Sequence, residues 1–316
     1  MRILYIYRDY FIRRKFYGRE MEKCGYKVAY LEAKSKKKKN TLSVKDIKRS
    51  NPGLVWFLNP FYVKNNPIAL EYIKSKKIPI VVYSTYNPQE PYDSEEWMKT
   101  WGQIDFFFVQ NKEFHKFLKK KGFNSYYMPL AFHSTQYYRM VNKRRHDVSF
   151  CGAISLRANP EIDPRVIFAK SLSEFNIVVY GESFKDKLGV IPVYSYKTHR
   201  EQRLIYSQTK INLDLPFFSI CHSFYDNKFH FKNRFFEIPA TGNFLLTCRC
   251  PEFLDIFDEG IVGYYDDNIE SLKENVNKYL KDKKLRRQMT ERAYKLVHAK
   301  HTFKHRFKEM FKIIEK

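Results

Sequence analysis

The chain has 316 residues, 44% hydrophobic and 17% aromatic, enough apolar side chain for packed cores and too much for a disordered or fibrous protein. At roughly 150 residues per domain, that length suggests two domains. The 58 Lys and Arg against 34 Asp and Glu leave a net charge of +24, which predicts attraction to polyanions (nucleic acid, anionic lipid or phosphorylated ligands) without choosing among them.

No apolar run approaches the ~20 residues that cross a bilayer. The opening Met1-Arg-Ile-Leu-Tyr-Ile-Tyr-Arg-Asp9 meets charge too early for a secretory segment and reads as a first strand. Five cysteines, an odd number mostly flanked by apolar residues, fit a reduced, cytosolic compartment. Cys248-x-Cys250 has no second pair at zinc-site spacing and reads as two strand-end cysteines.

In chain order, Ile3–Tyr7 is a short apolar strand, and Phe11–Cys24 has helical spacing that stops at Gly25. Lys27–Leu31 is a second strand, and Lys36–Lys39 a solvated loop. Strand Leu54–Leu58, helix Pro67–Lys76, strands Ile78–Tyr83 and Asp105–Val109, helix Lys112–Lys121 and strand Tyr126–Pro129 complete the first half. Apolar, non-alternating strands separated by helices predict a parallel sheet covered on both faces, a Rossmann-like domain.

A polar, basic stretch from His133 to Asp147 follows, and then a second alternating series. Its strands are Val148–Cys151, Ile177–Tyr180, Ile211–Leu215, Phe244–Thr247 and Val262–Tyr264. Its helices lie near Pro164–Glu174, His199–Thr209, Asn233–Thr241, Pro251–Phe257 and Asn268–Lys281, with a long terminal stretch from Lys284 to Lys316. The expected class is α/β, with an N-terminal domain over 1–135, a linker over 136–147, a second Rossmann-like domain over 148–300 and a terminal helix over 301–316 packing back on the first domain. Open sheets of this kind bind ligands beyond the carboxyl ends of their strands, so two facing domains would enclose a cleft.

The densest chemistry lies in Lys232-Asn-Arg-Phe-Phe-Glu-Ile-Pro-Ala-Thr-Gly242, followed by an apolar strand. Lys232 and Arg234 at the mouth of a helix, with unpaired amides around Asn233, would make an anion site. Glu237 lies one turn further in, where a carboxylate can accept two hydrogen bonds from a vicinal diol such as a ribose. The bland alternative is a surface amphipathic helix whose Lys, Arg and Glu are incidental.

This stretch resembles the donor-binding segment of the CgeB/YkvP-like glycosyltransferases, a branch of the group 1, GT-B-fold enzymes, whose pattern there is approximately Asn/Leu-Arg-x-Phe-Glu-x-x-Ala-x-Gly. Asn233, Arg234, Phe236, Glu237, Ala240 and Gly242 match it. Asp147–Arg157 resembles the family's opening of the second domain, a strand ending in Gly and then an Arg. Leu204–Asp214 resembles its helix-to-strand step, and Leu285–Met289 with His301–Arg306 its closing helices. Tyr127–His133 resembles its interdomain segment.

The resemblance implies that Glu237 grips the donor ribose and that Arg234 and Arg157 clamp the diphosphate, assisted by amides after Gly152 and around Asn233. It implies that Tyr194 lines the wall against which the nucleobase packs, by stacking on the ring; an ordinary loop tyrosine remains the alternative. Better-known branches carry two glutamates eight residues apart, but Phe229 stands at the first position here. Relatives also often carry an acid just after the strand matched by Ile78–Tyr83, where this chain has Ser84 to Gln89 before Glu90.

Sugar transfer from a nucleoside diphosphate needs cations on the leaving group, and Arg157, Lys232 and Arg234 suit that role without a metal or other cofactor. Asp266-Asp267 reads as a loop capping the helix at Asn268, not as a metal pair. An inverting enzyme would need a general base in the first domain, and Glu90, Asp93 and His133 are the candidates. A retaining one could pass the acceptor proton to the leaving phosphate. The expected donor is a UDP-sugar; the expected acceptor is a cell-envelope glycan, lipid-linked sugar or protein.

Two other readings stay open: a DNA-directed glycosyltransferase acting on modified bases, and a basic nucleic-acid-binding protein without catalysis. The expected location is the cytoplasm. Arg13, Arg14, Lys15 and Lys36–Lys39 are candidates for peripheral contact with anionic lipid, or else ordinary solvated charge.

Overall fold

A computed structural model describes residues 1–7, 15–32, 42–58, 60, 63, 66–84, 95–153, 163–196, 198–215 and 232–316. The chain divides into two compact units. One comprises Met1–Leu130 with Phe303–Lys316, the other Ala131–Thr302.

The first unit runs β1 (Arg2–Tyr7), α1 (Lys15–Glu22), β2 (Lys27–Glu32), α2 (Val44–Ser50), β3 (Leu54–Leu58), α3 (Pro67–Ser75), β4 (Ile80–Ser84), α4 (Glu95–Trp101), β5 (Phe106–Val109), α5 (Lys112–Lys120) and β6 (Ser125–Tyr127). Its six strands form one sheet in the order β2-β1-β3-β4-β5-β6. Every neighbouring pair is parallel. Strands β3 and β4 are buried at every position, which is why their sequences read as unbroken apolar runs.

On one face Ile47, Ile73, Trp101, Phe114 and Leu118 join the core. On the other, the chain's final helix returns to this unit. Trp56 of β3 lies 5.6 Å from Phe307 and 5.8 Å from Phe311, and Tyr17 of α1 lies 4.6 Å from Phe303. Those phenylalanines are buried, each contributing about 1.5–3 kcal/mol of transfer free energy. The buried Arg306 fixes the helix by donating to the carbonyls of Pro129 (3.0 Å) and Leu130 (3.3 Å).

The second unit runs β7 (His146–Cys151), α6 (Pro164–Lys170), β8 (Ile177–Tyr180), a 3-10 turn (Glu182–Phe184), β9 (Val193–Tyr194), α7 (His199–Ser207), β10 (Thr209–Asp214), α8 (Arg234–Ala240), β11 (Leu245–Cys248), α9 (Pro251–Leu254), β12 (Gly263–Tyr265), α10 (Ile269–Lys281) and α11 (Lys283–Lys300). The terminal helix of the first unit, α12 (Phe303–Ile314), follows. The second sheet has the order β12-β11-β10-β7-β8-β9, again parallel throughout.

The terminal stretch is two helices, α11 and α12, separated at His301-Thr302. There the amide of Phe132 donates to the carbonyl of His301 (3.2 Å), and Phe132 bridges Thr302. Tyr194 lies in an edge strand, β9, that the spacing did not announce. Finally, the polar stretch after His133 is fastened to the second unit. Arg144 donates to the carbonyls of Ser207 and Thr209 and to Asn243 Oδ1, each at 2.7 Å, while Tyr137 is fully buried. Arg13, Arg14 and Lys36–Lys39, and the side chain of Lys15, lie outside the described residues.

Candidate functional site

In the second sheet the strand order reverses between β7 and β10, the position at which open parallel sheets take their ligands beyond the carboxyl ends. Arg234, the first residue of α8, lies across those two ends. Its Nε donates to Asp214 Oδ1 at 2.6 Å, one terminal nitrogen to the carbonyl of Cys151 at 3.3 Å, and the other to that of Leu215 at 3.0 Å. The guanidinium carbon sits 4.8 Å above the Phe150 ring. Asp214 is fully buried and Arg234 is 9% exposed. Burial raises the Asp214 carboxyl above its ordinary value, and the charges of Arg234 and Lys232 restrain that rise.

Two glycines let the backbone close up here. A Cβ on Gly152, just after β7, would stand 2.5 Å from the Phe150 ring and 3.1 Å from a terminal nitrogen of Arg234. A Cβ on Gly181 would meet the carbonyl oxygen of Gly152 at 2.0 Å. Only a residue without a side chain lets these two strand ends approach so closely.

A second buried pair borders the first. Asp163 caps α6, accepting from the Arg165 amide at 2.9 Å. It also takes the Arg165 guanidinium as a two-point fork at 2.9 and 2.6 Å. The remaining arm of Arg165 donates to the carbonyl of Ala153 at 2.5 Å, tying α6 to the segment after β7. Lys232 is partly exposed along its length, yet its ammonium is enclosed. Burial first, and then the neighbouring Arg234 and Arg165, push it down to about 7, against the opposing pull of Asp214. With Lys232 protonated, these three cations and two carboxylates leave one net positive charge, an arrangement suited to a ligand anion.

Glu237 lies in α8 with 1% exposure. Its charge is felt by the buried Tyr206, whose hydroxyl is raised by burial first and then by Cys151 and Glu237. Tyr206 accepts from Gln202 Nε2 (2.7 Å), and Tyr137 reaches Gln202 Oε1 (2.7 Å) and His199 Nδ1 (2.8 Å). This polar network, the Asp214–Arg234 pair and the Asp163–Arg165 fork were not foreseen from sequence. The Asp214–Arg234 pair and the reach of Tyr137 to Gln202 and His199 join residues that only the fold brings together, whereas the Asp163–Arg165 fork is local, at a helix start that Asp before Pro164 signals.

Around Asn233, the amides of Phe235, Phe236 and Glu237 are engaged with the carbonyls of Lys232 and Asn233 at 2.9–3.0 Å, and Asn233 makes no side-chain cap. Tyr194 is 54% exposed, its ring 5.6 Å from that of Tyr180. His133, a candidate base expected in the first domain, is 2% exposed and falls within the second unit; its carbonyl accepts from the amides of Gln136 and Tyr137. Arg157, Glu90 and Asp93 lie outside the described residues. Asp266 pairs with Arg249 (3.0 Å), and the α10 cap is Asn268 itself, accepting from Ser271 N (2.7 Å). Among the described residues no group of three or more His, Cys, Asp or Glu is placed to hold a metal.

Residues 165–312 match a family model described as glycosyl transferase-like. The match covers just under half of the chain and encloses Lys232, Arg234 and Glu237. No curated protein matches the chain in sequence. Solved structures similar to the whole chain include the sucrose-phosphate synthase of Thermosynechococcus elongatus (TM-score 0.70, 10% identity, covering 100% of this chain and 98% of that one). They also include Anabaena HepE in complex with UDP-glucose (0.68, 8%, 100% and 99%). A third is an alpha-glucosyltransferase in complex with UDP and a DNA 13-mer containing an HMU base (0.70, 16%, 100% of both chains). The two parallel six-stranded units have the GT-B fold, and with the family match the chain is a glycosyltransferase of the GT-B type. A nucleic-acid-binding protein without catalysis is correspondingly not favoured.

Proposed function

We propose that this glycosyltransferase takes its sugar from a UDP-sugar bound at the carboxyl ends of β7 and β10 and transfers it to an acceptor hydroxyl of a cell-envelope glycan, lipid-linked sugar or protein. The observation that carries the reading is the guanidinium of Arg234, fixed by Asp214 across the sheet's reversal point inside the matched segment. In this reading Arg234 and Lys232 offset the charge that gathers on the departing diphosphate, with Arg157 completing the clamp, so that protein cations serve where other enzymes use a metal. Glu237, one turn from Arg234, accepts the ribose hydroxyls. The Gly152 segment lets the diphosphate approach the backbone, and Tyr194 offers an exposed ring to the base.

The match of Asn233, Arg234, Phe236, Glu237, Ala240 and Gly242 to the segment pattern supports placing the chain in the CgeB/YkvP-like branch. UDP and UDP-glucose in the complexes of structurally similar proteins support uridine as the base. Glu90 or Asp93 would serve as base in an inverting reaction. His133, held inside the second unit, is the weakest of the three candidates.

A thermal-shift panel of UDP-, GDP-, ADP- and CMP-sugars tests this reading. UDP-sugars should raise the melting temperature of the wild type, and Glu237→Ala should abolish the rise while leaving the ligand-free melt intact. A panel in which no nucleotide sugar stabilises the protein would sink it.

A further inference from the structure

We propose that the amino edge of the first unit's sheet is a docking surface for an anionic lipid bilayer. The net charge is unevenly shared. The first unit has 31 basic and 14 acidic residues, +17; the larger second unit has 27 and 20, +7. Within the first unit the helix ends at one edge of the sheet carry clusters of cations. Because each helix runs against the parallel strands, helix starts lie at the carboxyl edge and helix ends at the amino edge. Asp46 in α2 and Glu113 in α5 stand at the starts, as the helix dipole favours, while Glu20 and Glu22 close α1 at the amino edge.

Cations gather at the ends. Lys48 and Arg49 close α2, Lys76 and Lys77 follow α3, and the run Lys119–Lys121 closes α5. All are exposed, and among the described residues none pairs with an acid. Hydrogen bonds confirm that this is one edge: Arg2 at the start of β1 donates to the carbonyl of Ser50 at the end of α2 (3.1 Å), and Lys74 of α3 pairs with Asp105 just before β5 (3.2 Å). Dipole complementation alone accounts for one or two cations per helix. It does not account for the run of three at Lys119–Lys121, although elsewhere in the unit Lys23, Lys74 and Lys116 pair with acids.

Two features favour a bilayer over nucleic acid. Most of the cations are lysines, point charges that meet a field of phosphates without the fixed fork geometry that reads a base or clamps one phosphate. Aromatic rings beside them already carry cations: Lys48 lies over Tyr72 (5.4 Å), Lys119 over Tyr126 (5.4 Å) and Lys121 over Phe117 (5.8 Å), which occupies a face on which a base would stack. Six strands at about 4.8 Å spacing make an edge about 24 Å wide, broad enough to meet several headgroups together. That edge is also the opposite end of the sheet from the one where such folds take ligands. A nucleic acid held there would be kept from the reacting end, whereas a membrane under it leaves that end open.

Flotation of the full chain with vesicles tests the proposal. The wild type should float with vesicles of equal parts phosphatidylglycerol and phosphatidylcholine, remain below with pure phosphatidylcholine, and be released by high salt. At about fivefold in partition per charge, Lys119→Gln/Lys120→Gln/Lys121→Gln should lower binding about a hundredfold. Arg49→Gln/Lys76→Gln, an independent pair, should lower it about 25-fold. The corresponding change in the second unit, Lys278→Gln/Lys281→Gln, should have little effect, and circular dichroism should report unchanged folding for all three. Wild-type protein that stays below with anionic vesicles overturns the proposal. So does equal flotation of the edge variants, or a duplex oligonucleotide that binds in preference to the vesicles and loses affinity in the same variants. UDP-sugar binding is a separate readout that these variants should leave unchanged, so either reading can fail without the other.

Discussion

Removing Asp214 should destabilise the second unit through the cation it leaves behind. In Asp214→Ala, Arg234 keeps the carbonyls of Cys151 and Leu215 but loses its acid, the 2.6 Å partner of Nε, in a place where the carboxylate is fully buried and the guanidinium 9% exposed. Breaking a buried pair from one side costs about 3–5 kcal/mol. The two surviving carbonyl contacts put this case near the lower end, about 3 kcal/mol. For a unit of this size that is a fall of roughly 6–12 °C in its melting transition. Asp214→Asn, which keeps an acceptor for Nε, should cost about half as much. The decisive comparison is the double variant Asp214→Leu/Arg234→Met. With both charges gone nothing is left unpaired, and replacement of a buried pair by apolar groups is often neutral, so the double variant should melt above Asp214→Ala. Differential scanning calorimetry of the full chain reads all three. A double variant that melts lower than either single one, or a loss under 1 kcal/mol in Asp214→Ala, would refute the view that this ion pair organises the ends of β7 and β10.

Two further outcomes follow from the same site. The Lys232 ammonium, lowered to about 7 by burial and by Arg234 and Arg165, is neutral in the folded protein above that pH while the unfolded chain still holds its proton. The unfolded state then binds more protons, so the destabilisation due to Lys232 is full below about pH 7 and is relieved as pH rises. Affinity for UDP-glucose should run the other way, falling from about pH 6 to 8.5 in isothermal titration as the ammonium is lost, and Lys232→Met should flatten that slope. Gly181→Ala should be worse tolerated than Gly152→Ala, because its added carbon meets a backbone carbonyl at 2.0 Å where the other meets side-chain atoms, the nearest at 2.5 Å. Overpacking of about 1–3 kcal/mol for Gly152→Ala and more for Gly181→Ala should appear as separate shifts in chemical denaturation midpoints.

The alternation of apolar runs with helical spacing was sufficient to predict two parallel sheets, because strands buried on both faces leave an unmistakable pattern: Leu54–Leu58 and Ile177–Tyr180 were located to the residue. What escaped was set by contacts distant in sequence. The two-residue strand β9 is too short to carry a period and exists because β8 offers it an edge. In the site, Lys232, Arg234 and Glu237 stood out because one segment contains all three. That Arg234 would be seated on Asp214, twenty residues upstream, needed the sheet to bring β10 and α8 together. His133 opened a polar stretch in the sequence, and only the fold shows that it is buried.

The most direct measurement is the release of UDP from UDP-glucose by the purified full-length protein, with and without candidate glycan acceptors. The account predicts slow hydrolysis by the wild type and near-background rates in Arg234→Met and Glu237→Gln, both still folded by circular dichroism. UDP release at the uncatalysed rate by a wild type that also fails to bind UDP-glucose, or undiminished release by both variants, would contradict it.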